Sequence, residues 1–493
     1  MNNEIGNDSY GSVTLSFCNR TVNHEVSADL TLPDYLPEMK RILSVTERIM
    51  PPARYVSASG VECNGVIDYG ILYVGSDGEL HSASLSSEYE LNASSDTDMG
   101  LDMTEGGGAS VTTVCDGTFA RLLAPRRINL KSRLRSHVRA YCGADIAENA
   151  YGDVDGESIQ RLFKETENAC VLSGSSDVID VSDEISGLGD DVRVASADAG
   201  VFVSDIRCKE DLVTASGDVI LELLICRDGE SPRKTVRKIR FDGETDISGV
   251  DSDCLCRVNG SVSDIAVSVE EGRISCVVSV VLNCFAVKNR ILKYSADLYS
   301  TERECKVETL SLSLPLVICC SNGNFSQSER LPLADTEIPE GAEIIDAWSR
   351  TSFDECRYSD GKYLFSGQSR YFVLCRKDGE YSVCELELPA KYEADGKGGE
   401  PAVFDAIAES VGCRVRIDGD NLAIDGEIAV CYDIFGENNI KTVSEARFED
   451  PFVRQKSRIT VYYPSSEESA WDVAKKFHVR SDILSDEKNY YLF

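Results

Sequence analysis

Histidine is scarce in this 493-residue chain: His24, His81, His137 and His478 are the only four. Scattered in this way they assemble no Ser/His/Asp arrangement and offer little imidazole to a metal. Cysteine is plentiful, at nineteen, but there is no CxxC pair and the number is odd, so the ligand spacing of a structural zinc site is missing. Long apolar runs are absent too. No stretch approaches the ~18 residues that a membrane-spanning helix needs. Residues 1–8 have neither the basic head nor the apolar core of a signal peptide. Positive charge is in deficit: 50 Lys and Arg stand against 84 Asp and Glu, a formal net charge of −34. That disfavours nucleic acid or an anionic membrane as partner, because polyanions are bound by clustered cations that displace counterions. No Lys-Ser/Thr follows the glycine-rich stretch 105–108, and no twelve-residue loop ends in glutamate, so phosphate cradles and calcium loops lack support. Paired catalytic carboxylates cannot be singled out among 84 acids. The expectation is a protein that is not an enzyme and uses no metal or cofactor.

What is present is repetition. Leu36-Pro37-Glu38, Leu188-Gly189-Asp190 and Ile338-Pro339-Glu340 are each followed, 28 residues after the middle position, by a glycine: Gly65, Gly217 and Gly367. Asp-Gly pairs come next, at Asp77-Gly78, Asp228-Gly229 and Asp378-Gly379. Flanked by β-type residues such as Ile71, Leu72, Tyr73 and Val74, these read as hairpin turns. The three glycines lie 152 and 150 residues apart. A period of about 20–50 indicates a solenoid; this one is domain-sized.

The texture is β. Ile424, Gly426, Ile428, Val430 and Tyr432 alternate with Asp425, Glu427, Ala429, Cys431 and Asp433. Residues 274–284 are nearly all apolar, as in a strand covered on both faces. Cysteines beside Val and Leu (Cys226, Cys276, Cys284, Cys375, Cys431) read as small buried hydrophobes kept reduced, which with the N-terminus points to the cytoplasm. The expected fold is mainly β, with three repeated sandwich-like or open-barrel domains at 1–150, 151–303 and 304–450. Polar connectors join them near 144–176, 301–304 and 449–451. A small α/β unit over 451–493 closes the chain: a strand at 459–463, then a helix capped by Ser469 with Ala470, Trp471, Ala474 and Phe477 at helical spacing. Ser481 is placed to cap a second short helix carrying Ile483 and Leu484.

Three local features are candidate sites. Pro37 suits the first position of a short helix that buries Met39, Ile42 and Leu43. Residues 128–139 form a strand with Ile128, Leu130, Leu134 and Val138 on one face and Asn129, Lys131, Arg133, Arg135, His137 and Arg139 on the other. Arg121, Arg126 and Arg127 lie just upstream. Either an acidic neighbouring strand neutralises this cationic ladder, or it docks an acidic partner or a second copy of the chain. Trp471 is either the core plug of the terminal unit or an exposed anchor, with Tyr462, Tyr463 and the tail Tyr490-Tyr491-Leu492-Phe493 nearby.

The run Leu32-Pro33-Asp34-Tyr35-Leu36-Pro37-Glu38-Met39-Lys40-Arg41-Ile42-Leu43 resembles the N-terminal signature of the spore-coat-associated (SPOCS) domain family of clostridial bacteria. Leu32, Pro33, Asp34, Pro37, Glu38, Arg41, Ile42 and Leu43 carry the likeness. Ala124-Pro125-Arg126-Arg127-Ile128-Asn129-Leu130 looks like the family's Pro-Arg-Lys strand. Residues 459–493 look like a reduced LysM module, with Trp471-Asp472-Val473-Ala474-Lys475-Lys476-Phe477 matching its first helix. The module's Gly-Asp-Thr-Leu turn is replaced by Glu467-Glu468-Ser469-Ala470, and the chain stops soon after Asn489. Those two places correspond to the loops that frame the glycan groove. The resemblance implies a non-enzymatic adaptor of spore-coat assembly on the mother-cell cytoplasmic side of the forespore. It implies binding to the coat-basement ATPase or other coat proteins through Tyr462, Tyr463, Trp471, Val473, Ala474, Lys475 and Phe477. The alternative is a peptidoglycan binder acting through the same module.

Overall fold

The computed structural model describes residues 12–57, 59–95, 103–104, 108–146, 158–187, 189, 191–227, 230–396, 398–452, 460–465, 468–483 and 490–492. Most of them are in strands. The first third contributes β1 (Ser12–Thr31), β2 (Met39–Ile49), β3 (Ala53–Ser57), β4 (Gly60–Gly75), β5 (Leu80–Ser94), β6 (Met103–Thr104), β7 (Ala109–Ala124) and β8 (Arg127–Asp145). The second contributes β9 (Ile159–Ile185), β10 (Val192–Lys209), β11 (Leu212–Arg227), β12 (Arg233–Asp246), β13 (Leu255–Glu270) and β14 (Arg273–Ser300). The third contributes β15 (Arg303–Pro332), β16 (Glu343–Ser359), β17 (Lys362–Lys377), β18 (Glu380–Asp395), β19 (Val403–Asp418) and β20 (Asn421–Pro451). A terminal unit follows, with β21 (Thr460–Tyr462), helix α1 (Ala470–Phe477) and β22 (Tyr490–Leu492).

Pairing is antiparallel and follows one scheme in each third. In β1-β8-β7, β9-β14-β13 and β15-β20-β19, the opening strand pairs with the closing strand, which pairs with the one before it. The orders β2-β4-β5, β10-β11-β12 and β16-β17-β18 are meanders. No sheet closes into a barrel among the described residues. Within a third the two sheets bury apolar faces against each other: Ile128, Leu130 and Leu134 of β8 share a core with Ile67, Tyr69 and Ile71 of β4. Val219, Leu221 and Leu223 of β11 likewise meet Ile274, Val278 and Val280 of β14.

Local chemistry explains the turns. Asp360-Gly361 and Asp378-Gly379 have positive φ at both positions (52°, 80° and 51°, 84°), the geometry of two-residue hairpin turns. Glu271-Gly272 does the same between β13 and β14. Asp228-Gly229, Leu188, Asp190 and residues 105–107 lie outside the described residues. The recurring glycines are steric necessities. A Cβ on Gly217 or Gly367 would lie 1.9 Å from the carbonyl oxygen of Phe202 or Ser352 on the adjoining strand, beside a β-bulge. At Gly65 the obstacle is the Tyr89 ring, 2.3 Å away.

Three sequence expectations are corrected here. The segment after Pro37 is strand β2, not helix. Bulges between Met39 and Arg41 and between Ile42 and Ser44 break the alternation, and the displaced apolar residues mimic helical spacing. Ile42 therefore packs into the core of the first third, while Leu43 faces the neighbouring thirds. Residues 274–284 are not covered on both faces throughout: Val277 is 41% exposed, and continuous burial of apolar residues begins near Val280. The second helix of the terminal unit is one 3-10 turn, Ser481–Ile483, and Leu484 lies outside the described residues.

The thirds also pack on one another. Leu72, Leu224 and Leu374, at equivalent places on β4, β11 and β17, form one apolar cluster, joined by Leu43, Ala195 and Ile345. Farther along the long strands, Phe17, Leu292, Leu314 and Ile440 share a second cluster drawn from all three thirds.

Candidate interface sites

Eleven residues beyond Ile128, Ile274 and Ile424 stand Arg139, Phe285 and Phe435, cross-strand from Ser110, Arg257 and Val403. Two residues earlier the rungs are Thr112–His137, Asn259–Asn283 and Asp405–Asp433. Equivalent positions thus carry different chemistry, and across the thirds they interlock. Arg139 donates from Nη2 to Asp433 at 2.8 Å and to Asp405 at 3.2 Å. Arg257 donates from Nε to Asp433 at 2.6 Å and from Nη2 to the Ser110 hydroxyl at 3.0 Å. The Thr112 hydroxyl donates to Asp405 at 2.5 Å. Arg139 lies over the Phe435 ring and Arg257 over that of Phe285, 5.5 and 5.0 Å from the centroids. All four charged side chains are buried. Burial opposes charge at each arginine, but the adjacent aspartates outweigh it and raise both pKa values. Burial also pushes the Asp405 carboxyl up, yet His137, Arg139 and Arg257 together hold it well below the usual carboxylate range. Two cations meet two anions, so the knot is neutral.

A cavity of about 940 Å³, lined by β2, β4, β7, β10, β11, β13, β16, β17 and β19 among others, reaches Arg257 of the knot and Leu72 and Leu224 of the leucine cluster. Ion pairs at its wall link the thirds in a closed cycle: Arg48–Asp198 at 2.9 Å, Lys234–Asp346 at 2.9 Å, and Arg350–Glu47. Glu409 is half-buried and faces the cavity. Burial is the main cause that pushes its carboxyl up to about 8, with Asp198 adding to the rise and the Val201 amide and Arg48 opposing it.

The signature segment is a connector that the cationic hairpin clasps. Arg126 donates to the Pro33 carbonyl at 3.0 Å and lies 3.6 Å from Glu38 and 4.0 Å from Asp34. The Leu32 and Met39 amides donate to the carbonyls of Arg126 and Pro125 at 2.8 Å each. The Tyr73 hydroxyl donates to the Pro37 carbonyl at 3.1 Å. Arg41 reaches the third third and donates to the Tyr381 carbonyl; its equivalent Arg193 reaches the first and donates to that of Leu80.

The ladder on β8 alternates as its sequence suggests, but its members have different fates. Arg139 belongs to the buried knot. Arg135 bridges Asp116 of β7–β8's own third at 3.3 Å and Asp354 of β16 at 3.1 Å. Arg133 sits opposite Glu25 and over the Phe119 ring. Lys131 and Arg127 are exposed. Asp433, on the face of β20 opposite Ile428 and Val430, is fully buried because β20 enters the knot there.

In the terminal unit Ser469 caps α1 and makes a reciprocal capping box with Asp472. Val473 and Ala474 are buried. Tyr462 meets Phe477 edge-on, at 5.1 Å between centroids. Trp471 faces another element altogether. Its indole donates to Asp297 of β14 at 2.9 Å and packs on Tyr299, while Lys475 donates to Asp297 at 2.6 Å. The Tyr299 hydroxyl donates to the Val479 carbonyl at 2.6 Å, and Ser481 bonds Gln160 of β9. Val461 and Tyr463 remain exposed.

Sequence reasoning missed Arg257, Asp405 and Asp433, although a charge inside Cys256-Arg257-Val258 or Tyr432-Asp433-Ile434 is a legible anomaly in an apolar strand. It missed Asp297, which nothing local marks. A second cationic run on β12, with Arg233, Lys234, Arg237, Lys238 and Arg240, also escaped it. Comparison with protein-family models, curated proteins and solved structures finds no match.

Proposed function

We propose that this chain is a non-enzymatic adaptor of spore-envelope assembly. In this reading one β-sandwich block, used three times over residues 1–150, 151–303 and 304–450, forms a rigid body. A LysM-like unit over 451–493 presents a protein-binding surface to the coat-basement ATPase on the mother-cell side of the forespore. The observation that carries it is the use of the buried charges: Arg139, Arg257, Asp405 and Asp433 are engaged with one another across the thirds, not arranged around a reacting group. Trp471 and Lys475 are engaged on β14, so the partner surface centres on the exposed Val461 and Tyr463. The test is saturable binding of the purified ATPase, lost on deletion after Asp450 and weakened by Tyr463→Ala. Retention by insoluble peptidoglycan without ATPase binding would replace this reading with the glycan-binding one. A fluorescently tagged chain should form a shell around the forespore, and a uniform cytoplasmic signal would sink the proposal.

A further inference from the structure

The outer faces of the β1-β8-β7 and β9-β14-β13 sheets occupy equivalent places and carry opposite charge. On the first, Arg121, Arg127, Lys131 and Arg133 outnumber Glu25 and Asp29, with Phe119 62% and Leu123 49% exposed beside them. Arg121, Arg127 and Lys131 have no ion pair among the described residues. On the second, Asp180, Glu184, Asp264 and Glu270 outnumber Arg273, around the exposed Val178 and Val277. The correspondence is rung by rung. Gly117–Arg133–Glu25 on one sheet matches Asp264–Ser279–Asp180 on the other, and Phe119–Lys131–Ser27 matches Ala266–Val277–Ser182. The third such face is self-neutralised, with Arg416–Asp425 at 2.7 Å and Arg330–Asp418 at 3.4 Å. Aromatic and arginine side chains together are what protein interfaces concentrate, and an acidic face is their electrostatic complement.

We infer that the cationic face of one copy docks on the acidic face of a second copy of this chain. The two faces lie on different thirds, so the contact is heterologous, and it propagates head to tail into a ring or filament unless a closed partner caps it. Steering between opposite charges makes the association salt-sensitive.

The full chain is the probe, followed by sedimentation velocity at low and high salt. It should gain mass with concentration at low salt and return to monomer at high salt. Arg121→Glu/Lys131→Glu/Arg133→Glu makes both faces acidic, and Asp180→Lys/Asp264→Lys/Glu270→Lys makes both basic. Each variant alone should associate about tenfold or more weakly, with an unchanged melting temperature showing that it folds. An equimolar mixture of the two should associate as the wild type does. A wild type that stays monomeric at low salt overturns the inference. So does association that survives either variant, or a mixture that stays monomeric while both variants fold.

Discussion

Leu72, Leu224 and Leu374 form one junction of the thirds, at a first end, and Arg139, Arg257, Asp405 and Asp433 form another, at a second. At the first end the same residue serves in each third, because apolar contact has no sign and three leucines satisfy one another. At the second, identical residues would repel, and the three rungs have diverged into cations, anions and aromatics. Hydrophobic junctions between the thirds tolerate sameness; electrostatic ones require difference.

The largest effect is expected where this difference is removed. Asp433→Ala leaves Arg139 and Arg257 without their main counter-charge and should destabilise the protein by about 3–5 kcal/mol in urea titration. Replacing all four charged residues by Met or Leu should cost far less than that single change, and a larger loss would refute the account of the knot. At the apolar end, Leu224→Ala should cost about 3 kcal/mol, with Leu374→Ala alike because the environments match. Strongly unequal losses would break the equivalence of those positions. Trp471→Ala or Asp297→Ala should cost only about 1–3 kcal/mol and act locally. Proteolytic release of the terminal unit should accelerate while global unfolding of the β body is unmoved. The remaining effect is a slope with pH. Burial pushes the Glu409 carboxyl up to about 8 from the ordinary 4.5, so the folded state binds the extra proton between those values. Its contribution to stability therefore falls as pH rises from 4.5 to 8, and Glu409→Gln should flatten that decline. An unchanged pH profile would show that the carboxyl is solvated by the cavity.

Strand content and turns were legible because their causes are local. Gly65, Gly217 and Gly367 report crowding by a neighbouring ring or carbonyl, and Gly78 and Asp378-Gly379 a positive φ that only a few residues tolerate. The alternation along β8 was legible for the same reason, down to which face carries Lys131 and Arg133. The helix expected after Pro37 failed because bulges insert residues without a compositional mark, turning a two-residue period into an apparent three-to-four-residue one. Of the site, Arg126 and Arg139 could be named but not their partners. Asp433 is 294 residues from Arg139, and nothing in either neighbourhood encodes the meeting. Trp471 could be flagged as unusual, yet its partner Asp297 lies 174 residues upstream.

The closed cycle of ion pairs, Arg48 with Asp198, Lys234 with Asp346 and Arg350 with Glu47, is directional: each third offers a cation to the next in chain order. A strand-exchanged dimer that put a second copy of one third into another's slot would bring like charges together without their counter-ions, Arg257 against its own copy or Asp405 against its own. The covalent order of the thirds therefore doubles as an address system that rejects misassembly, which a homotrimer of identical subunits has no means to encode.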